Sequence, residues 1–276
     1  MKLNLVPART GATWVRLGLK TFWRQPLAFI SLFFLLMALI STVSLLPLLG
    51  SVLAPVLLPF MTLGLMVATS IAYTDNAEGI GTTGHAQRPT GSAMFVAVIA
   101  AMRTEWRSLV KLGVISAVYF VFAVLLTSFI DGGQLAKAYL LDEALTPEIM
   151  ASSDFQVARM FLMCLNLPLS LAMWHAPALV HWHGVEPVKS IFFSVVAVFR
   201  NFGAYALFGL AWLGVFLLAG IGMGLVATVL IGVGSVGGGG AAAAIGNVLI
   251  VGSALVLAAM SMSSTWFTFR DSFDPN

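Results

Sequence analysis

Six long stretches of this sequence carry almost no charge, and they constrain its fold more than any other feature. They run at about 27–49, 52–73, 109–130, 155–182, 202–233 and 241–269. A helix crossing the hydrocarbon core of a bilayer needs about 20 mostly apolar residues. All six qualify, and the last two are long enough to tilt or to extend beyond the core. Composition agrees: 59% of the 276 residues are hydrophobic and 9% are charged, against about 45–50% and about 25% in a soluble domain. This excludes an ordinary soluble enzyme. The expected fold is all-α, a polytopic membrane bundle of six transmembrane helices.

The cationic residues orient such a bundle. Lys2, Arg9, Arg16, Lys20 and Arg24 precede the first run. Arg88, Arg103, Arg107 and Lys111 follow the second, Lys189 and Arg200 follow the fourth, and Arg270 follows the sixth. With six spans all twelve fall on one side, and only Lys137 and Arg159 fall on the other. The positive-inside rule then places both termini in the cytoplasm. The domain division expected is an N-terminal segment at 1–26, the spans within 27–270 and a tail at 271–276. The first apolar run is longer than a signal-peptide core and reads as a retained span. The one cysteine, Cys164, rules out an intramolecular disulfide. The formal charge of +3, with no Lys/Arg-rich run, gives no sign of nucleic-acid binding.

Each pair of spans is preceded by a helix-prone segment. In "TGATWVRLGLKTFWRQP", Arg16, Lys20 and Arg24 are four apart and share one face. Trp14, Val15, Gly18, Leu19 and Phe22 occupy the opposite arc. A cationic face against an apolar one suits a helix lying in the membrane interface. "SAMFVAVIAAMRTEWRSLVK" again sets Arg103 and Arg107 four apart. "PVKSIFFSVVAVFR" brackets an apolar run with Lys189 and Arg200, and Pro187 suits a first helical turn. The order is interfacial helix, span, short link, span, three times over. These helices either anchor the bundle, as Trp, Lys and Arg commonly do, or form a surface that handles lipid headgroups.

Two stretches carry a resemblance. "RTGATWVRLGLKTFWRQPLAF" and "APALVHWHGVEPVKSIFFSVVAVFRNFGAYALFGLAW" resemble an uncharacterised family of bacterial membrane proteins, known as hypothetical transmembrane proteins. The resemblance runs over most of the chain and is strongest near the N-terminus and from Ala176 to Trp212. It implies a bacterial inner-membrane location and a six-helix bundle, and it carries over no catalytic residue. The element order is also similar to a looser group of bacterial membrane domains with repeated amphipathic-helix and span units.

The stretch "MWHAPALVHWHGVEPVKS" holds His175, His181 and His183. On one helix, ligands to a single metal come three or four residues apart. At about 100° per residue, His181 and His183 point to nearly opposite sides. No pair here chelates one metal unless the helix ends between them, and a zinc site needs further donors. A membrane haem through His175 needs a second axial ligand; the other spans offer no histidine, and a methionine, of which the chain has 13, is the alternative. No metal and no cofactor are expected. The plainer reading makes Trp174, His181, Trp182 and His183 an interfacial belt. His175 sits about two turns inside the end of its span, where a polar group faces a bundle interior or a cavity. It is the one candidate for a buried polar site.

Gly220 and Gly224 form a G-x-x-x-G pair in the fifth span, the spacing at which helices approach closely. The alternative is a glycine-lined path. "GVGSVGGGGAAAAIG" lacks the lysine and hydroxyl that end a phosphate-binding loop. G-x-S-x-G and H-E-x-x-H are both missing, so a non-enzymatic protein is expected. The function expected is organisation of membrane lipids, with other membrane proteins as further partners. The competing reading is a transporter or lipid translocator with a path between the repeats.

Overall fold

A segment surrounded by hydrocarbon must satisfy its peptide groups internally, and the apolar runs do so as helices. The computed structural model describes the backbone of residues 2–78, 91–234 and 240–273. His85, Arg88 and Gly237 to Gly239 lie outside the described residues. Among those described the chain is all helix, in the order α1 (Thr10–Phe22), α2 (Pro26–Ser44), α3 (Gly50–Glu78), α4 (Gly91–Thr104), α5 (Trp106–Asp131), α6 (Gln134–Leu140), α7 (Pro147–Ala151), α8 (Ser153–Met173), α9 (Ala176–His183), α10 (Pro187–Arg200), α11 (Phe202–Gly234) and α12 (Gly240–Phe273). Six stretches are long and apolar enough to cross a membrane: Pro26–Ser44, Gly50–Tyr73, Trp106–Asp131, Ser153–His183, Phe202–Val229 and Ala244–Phe273.

The chain divides into two compact units. One comprises Met1–Ile30, Ala68–Gly91 and Asn201–Asn276. In it α11 packs on α12, and α1 packs against both. The N-terminal strand of chain before α1 is tied down by hydrogen bonds. The Asn4 amide donates to the Ser272 carbonyl at 2.9 Å, and the Val6 amide donates to Asn201 Oδ1 at 2.9 Å. Phe22 at the end of α1 stacks on Phe29 in the first turn of α2.

The other unit comprises Ser31–Val67 and Ser92–Arg200. Its centre is the pairing of α5 with α8, and α10 packs on α8, α9 and α5. Helices α3 and α4 meet at Gly64, where a Cβ would stand 2.5 Å from Met102 Cε and 3.2 Å from Val98 Cγ1. The link between α5 and α8 is longer than the short connection expected. It holds α6 and α7, and it is built on caps. The Asp131 carboxylate accepts from the amides of Gly133 at 2.9 Å and Leu135 at 2.7 Å. Leu135, Phe155 and Ala158 then form a small core with Ile130, Leu145 and Ile149.

The element order is the repeated one, but packing does not follow it. Each short basic helix packs on a hairpin that is not the next one in sequence. Helix α4 packs on α3, α10 packs on α5 and α8, and α1 packs on α11 and α12.

Candidate functional site

The histidine stretch is a broken helix. The span Ser153–His183 is continuous in hydropathy, yet α8 stops at Met173 and α9 begins at Ala176. Pro177 in the first turn of α9 has no N–H and disfavours helical geometry in the residue before it. An unbroken helix would bond the His175 amide to the Leu171 carbonyl, four residues back. Here the Ser194 hydroxyl of α10 occupies that rung. The His175 amide donates to Ser194 Oγ at 3.0 Å, and Ser194 Oγ donates to the Leu171 carbonyl at 2.7 Å. An inserted hydroxyl that satisfies both sides of an opened rung is a recognised cause of a kink.

His175 is 0% exposed. Beside it, Leu112, Ala176 and Val180 form an apolar cluster with Met173 and Ile191. His181 and His183 lie at the other end of α9, before Gly184, which adopts the left-handed conformation at φ 61°. Both are half-buried, as are Trp174 and Trp182. His181 Nδ1 lies 4.0 Å from Glu105 Oε1, so its closest acidic neighbour is the residue between α4 and α5. Among the described residues no three His, Cys, Asp or Glu side chains gather as a metal site would require. The structure therefore separates the three histidines into one buried at a kink and two at a helix end.

The basic residues are all exposed: Arg16, Lys20 and Arg24; Arg103 and Arg107; Lys189 and Arg200. Their settings differ from the expectation in two ways. First, the apolar arc of α1 does not face lipid. Trp14 and Phe22 are 0% exposed, and Val15, Gly18 and Thr21 are buried with them against α11 and α12. Second, Arg103 and Arg107 do not share a helix, because α4 ends at Thr104 and α5 starts at Trp106. The Arg107 guanidinium lies 5.5 Å from the Trp106 ring centre.

Helix α10 is inverted relative to α1. Its buried face is small, with Ser190, Ser194 and Ala197, while Val188, Phe192 and Phe199 are 63–70% exposed. At about 100° per residue these three fall within about 40° of one another, with Lys189 and Arg200 together along one flank. Lys189 Nζ pairs with Glu186 Oε2 at 2.9 Å. That hydrogen bond and the ammonium charge hold the Glu186 carboxyl below its ordinary range, with Lys111 adding a smaller pull in the same direction.

Gly220 and Gly224 are not a close helix contact. A Cβ at either would meet nothing within 4 Å, and both line a shallow apolar notch of about 220 Å³ with Phe216, Met223, Ile250 and Leu257. Close approaches occur instead at Gly113 of α5, where a Cβ would stand 2.7 Å from the Val56 Cα of α3, and at two glycines of α1. A Cβ on Gly11 would collide with the Ala204 carbonyl and stand 2.7 Å from the Phe208 nitrogen. One on Gly18 would collide with Ser264, 2.7 Å from its Cα. Gly11 and Gly18 are two turns apart on one face, a spacing readable in the sequence.

Two further groups escaped sequence reasoning. Serines of α12 secure the α1 seat: Ser263 Oγ lies 3.2 Å from the Gly18 carbonyl, and Trp212 Nε1 donates to Ser264 Oγ at 3.0 Å. At the end of α12, Asp271 accepts from Trp14 Nε1 at 2.8 Å and pairs with Arg270 at 2.7 Å. The Arg270 guanidinium also lies 5.0, 5.4 and 5.1 Å from the rings of Tyr73, Trp266 and Phe267. No motif marks a tryptophan as the partner of a carboxylate 257 residues away.

Comparison with known proteins finds a relative in Burkholderia thailandensis, named a probable inner membrane protein. It is 32% identical over 279 aligned residues, covering 99% of this chain and 94% of the relative. No family model matches the chain. No solved structure matches it.

Proposed function

This chain belongs to the family of inner membrane proteins that includes the Burkholderia thailandensis relative, and from that premise we propose that it organises anionic lipid through its basic helices. The observation that carries this reading is the way α1, α4 and α10 are mounted. Each is docked on a hairpin by small or apolar residues, and each holds its cations outward. A side chain whose helix is fixed gives up less freedom on meeting a headgroup than one on a mobile segment. Each basic residue near an anionic surface contributes about 1 kcal/mol of attraction.

The cationic side faces the cytoplasm by the positive-inside rule, with both termini there. The protein acts without catalysis, and its partners are membrane lipids and, through the same helices, other membrane proteins. The setting of His175 supports a packed joint over a polar path: it is fully buried beside an apolar cluster.

The experiment is lipid analysis of the full chain extracted with its surrounding membrane. Phosphatidylglycerol is expected to be enriched around it relative to bulk membrane. Replacing Arg16, Lys20, Arg24, Arg103, Arg107, Lys189 and Arg200 together by Gln is expected to remove the enrichment. Equal lipid composition around both proteins would overturn the reading. A periplasmic reporter fused after Glu143 is expected to be active, and an inactive one would reverse the orientation.

A further inference from the structure

Helix α5 carries its own version of the basic-then-apolar pattern, along its axis rather than around it. Arg107 and Lys111 are four residues apart, on one face of its first turns. Val114, Val118, Phe122 and Leu125 continue that face within about 60° of Lys111, and all four are 47–65% exposed. From Lys111 to Phe122 the helix rises about 16 Å, about half of the ~30 Å hydrocarbon thickness. The track is therefore one leaflet deep and starts at a cation.

The head of this track is a groove. Val110, Lys111, Val114 and Ile115 of α5 form one wall, and Glu186, Pro187 and Val188 at the start of α10 form the other. Its volume is about 530 Å³, within the ~300–1,000 Å³ of small-molecule sites. The lining is apolar apart from Lys111 and Glu186. The two charges are not equivalent. Glu186 is engaged by Lys189 at 2.9 Å, while Lys111 belongs to none of the ion pairs among the described residues. A groove with an apolar lining and an exposed ammonium that is outside the ion pairs among the described residues is complementary to an anion carrying a long apolar tail.

We propose that the α5–α10 groove binds a single anionic phospholipid, its phosphate on Lys111 and one acyl chain along Val114, Val118 and Phe122. The exposed Val188 and Phe192 of α10 supply the opposite side of the chain's path. This rests on the lipid-organising reading but differs from it in kind. The basic helices attract headgroups by charge, whereas the groove holds one molecule by shape and charge together.

The test is native mass spectrometry of the delipidated full chain in detergent, titrated separately with phosphatidylglycerol and phosphatidylcholine. The first phosphatidylglycerol is expected to bind more tightly than the first phosphatidylcholine. Lys111→Gln is expected to cut that preference about fivefold, the worth of one interfacial cation. Val114→Trp fills the groove while keeping the charge, and it is expected to weaken the first binding of both lipids. Both positions are exposed, and unchanged helical circular dichroism and unfolding temperature establish that the variants fold. Wild-type binding of phosphatidylglycerol by both variants would overturn the proposal. If those variants bind normally while the seven-site variant loses its enriched lipid, the groove fails and the reading of the basic helices stands. If Lys111→Gln loses the preference while the seven-site variant keeps its enrichment, the groove stands and the reading of the basic helices fails.

Discussion

Helices α1 and α10 are built from the same pattern and used in opposite directions. Both are short, basic and amphipathic, and both sit before a pair of long apolar runs. In α1 the aromatic face turns inward and the outward face carries Arg16 and Lys20, with Arg24 exposed just beyond the helix end. In α10 the inward face is Ser190, Ser194 and Ala197, and the outward face is Val188, Phe192 and Phe199 with two cations on the flank. The pattern identifies two faces but not which one meets protein. In a bilayer an apolar face has two apolar surroundings to choose from, lipid and neighbouring helix. Hydrophobicity barely separates them, and packing fit and hydrogen bonds decide.

That difference can be attacked from either side. The largest effect is expected at the α1 seat. Gly18→Leu forces side-chain volume onto the backbone of Ser264 and should cost about 3 kcal/mol, the upper range for overpacking. Thermal unfolding in detergent and faster proteolysis of residues 2–22 would register it. Gly220→Ala is the matched control. It meets open space, and helix propensity should leave stability within about 1 kcal/mol, on the favourable side. A large loss at Gly220 with none at Gly18 would reverse the assignment of the close contacts.

The α10 seat should respond next. Ser194→Ala strands the His175 amide and the Leu171 carbonyl on either side of the opened rung. Leaving buried polar groups unsatisfied costs about 1–3 kcal/mol. Ser194→Thr keeps the hydroxyl and should recover part of the loss. If Ser194→Ala were as stable as wild type, the rung would have closed without its insert, and α8 and α9 would form one helix.

A smaller effect is expected on the outward face of α10. Phe192→Asn removes no buried contact, so the unfolding midpoint in detergent should move by no more than about 0.5 kcal/mol. Affinity for lipid vesicles should fall nonetheless, because Phe192 is on the exposed stripe. The corresponding outward substitution on α1, Lys20→Asn, should lower vesicle affinity only when the vesicles contain phosphatidylglycerol. Equal dependence on charge for both variants would erase the distinction between the two faces.

The smallest effect is electrostatic. The Glu186 carboxyl titrates below its ordinary range, chiefly through its hydrogen bond to Lys189. A depressed carboxyl contributes at neutral pH, and its contribution is lost as pH falls through the folded-state value. Lys189→Gln should move that titration upward, as followed by NMR of the labelled carboxyl. Both groups are exposed, so the stability of α10 should hardly change.

Much of the fold could be read without coordinates. Six apolar runs, the basic segments before each pair and the prolines at Pro26 and Pro187 are local facts, and each reappears as a helix or a helix start. The break at His175 was half legible. Pro177 lacks the N–H that a continuous helix needs, and the depth of His175 flagged a polar residue out of place. What closes the break is Ser194, a residue with no motif around it. The candidate site was legible as charge and illegible as geometry. Arg103 and Arg107 read as one helical face, and the helix boundary at Glu105 separates them. Lys111 read as one more cation after the second run, and the start of α10 makes it part of a groove.

The sequence by itself determined that this chain is a set of apolar helices with its cations gathered before the hairpins. Transfer free energy and backbone hydrogen bonding act within a segment, so the segment's own residues decide them. Only the tertiary structure decided which hairpin each basic helix rides on, which face it hides and which glycines permit contact. Those outcomes depend on pairs such as Gly18 with Ser263, 245 residues apart, and His175 with Ser194 across a helix break. Close approach and an inserted hydroxyl are properties of two surfaces together, and neither surface carries them alone.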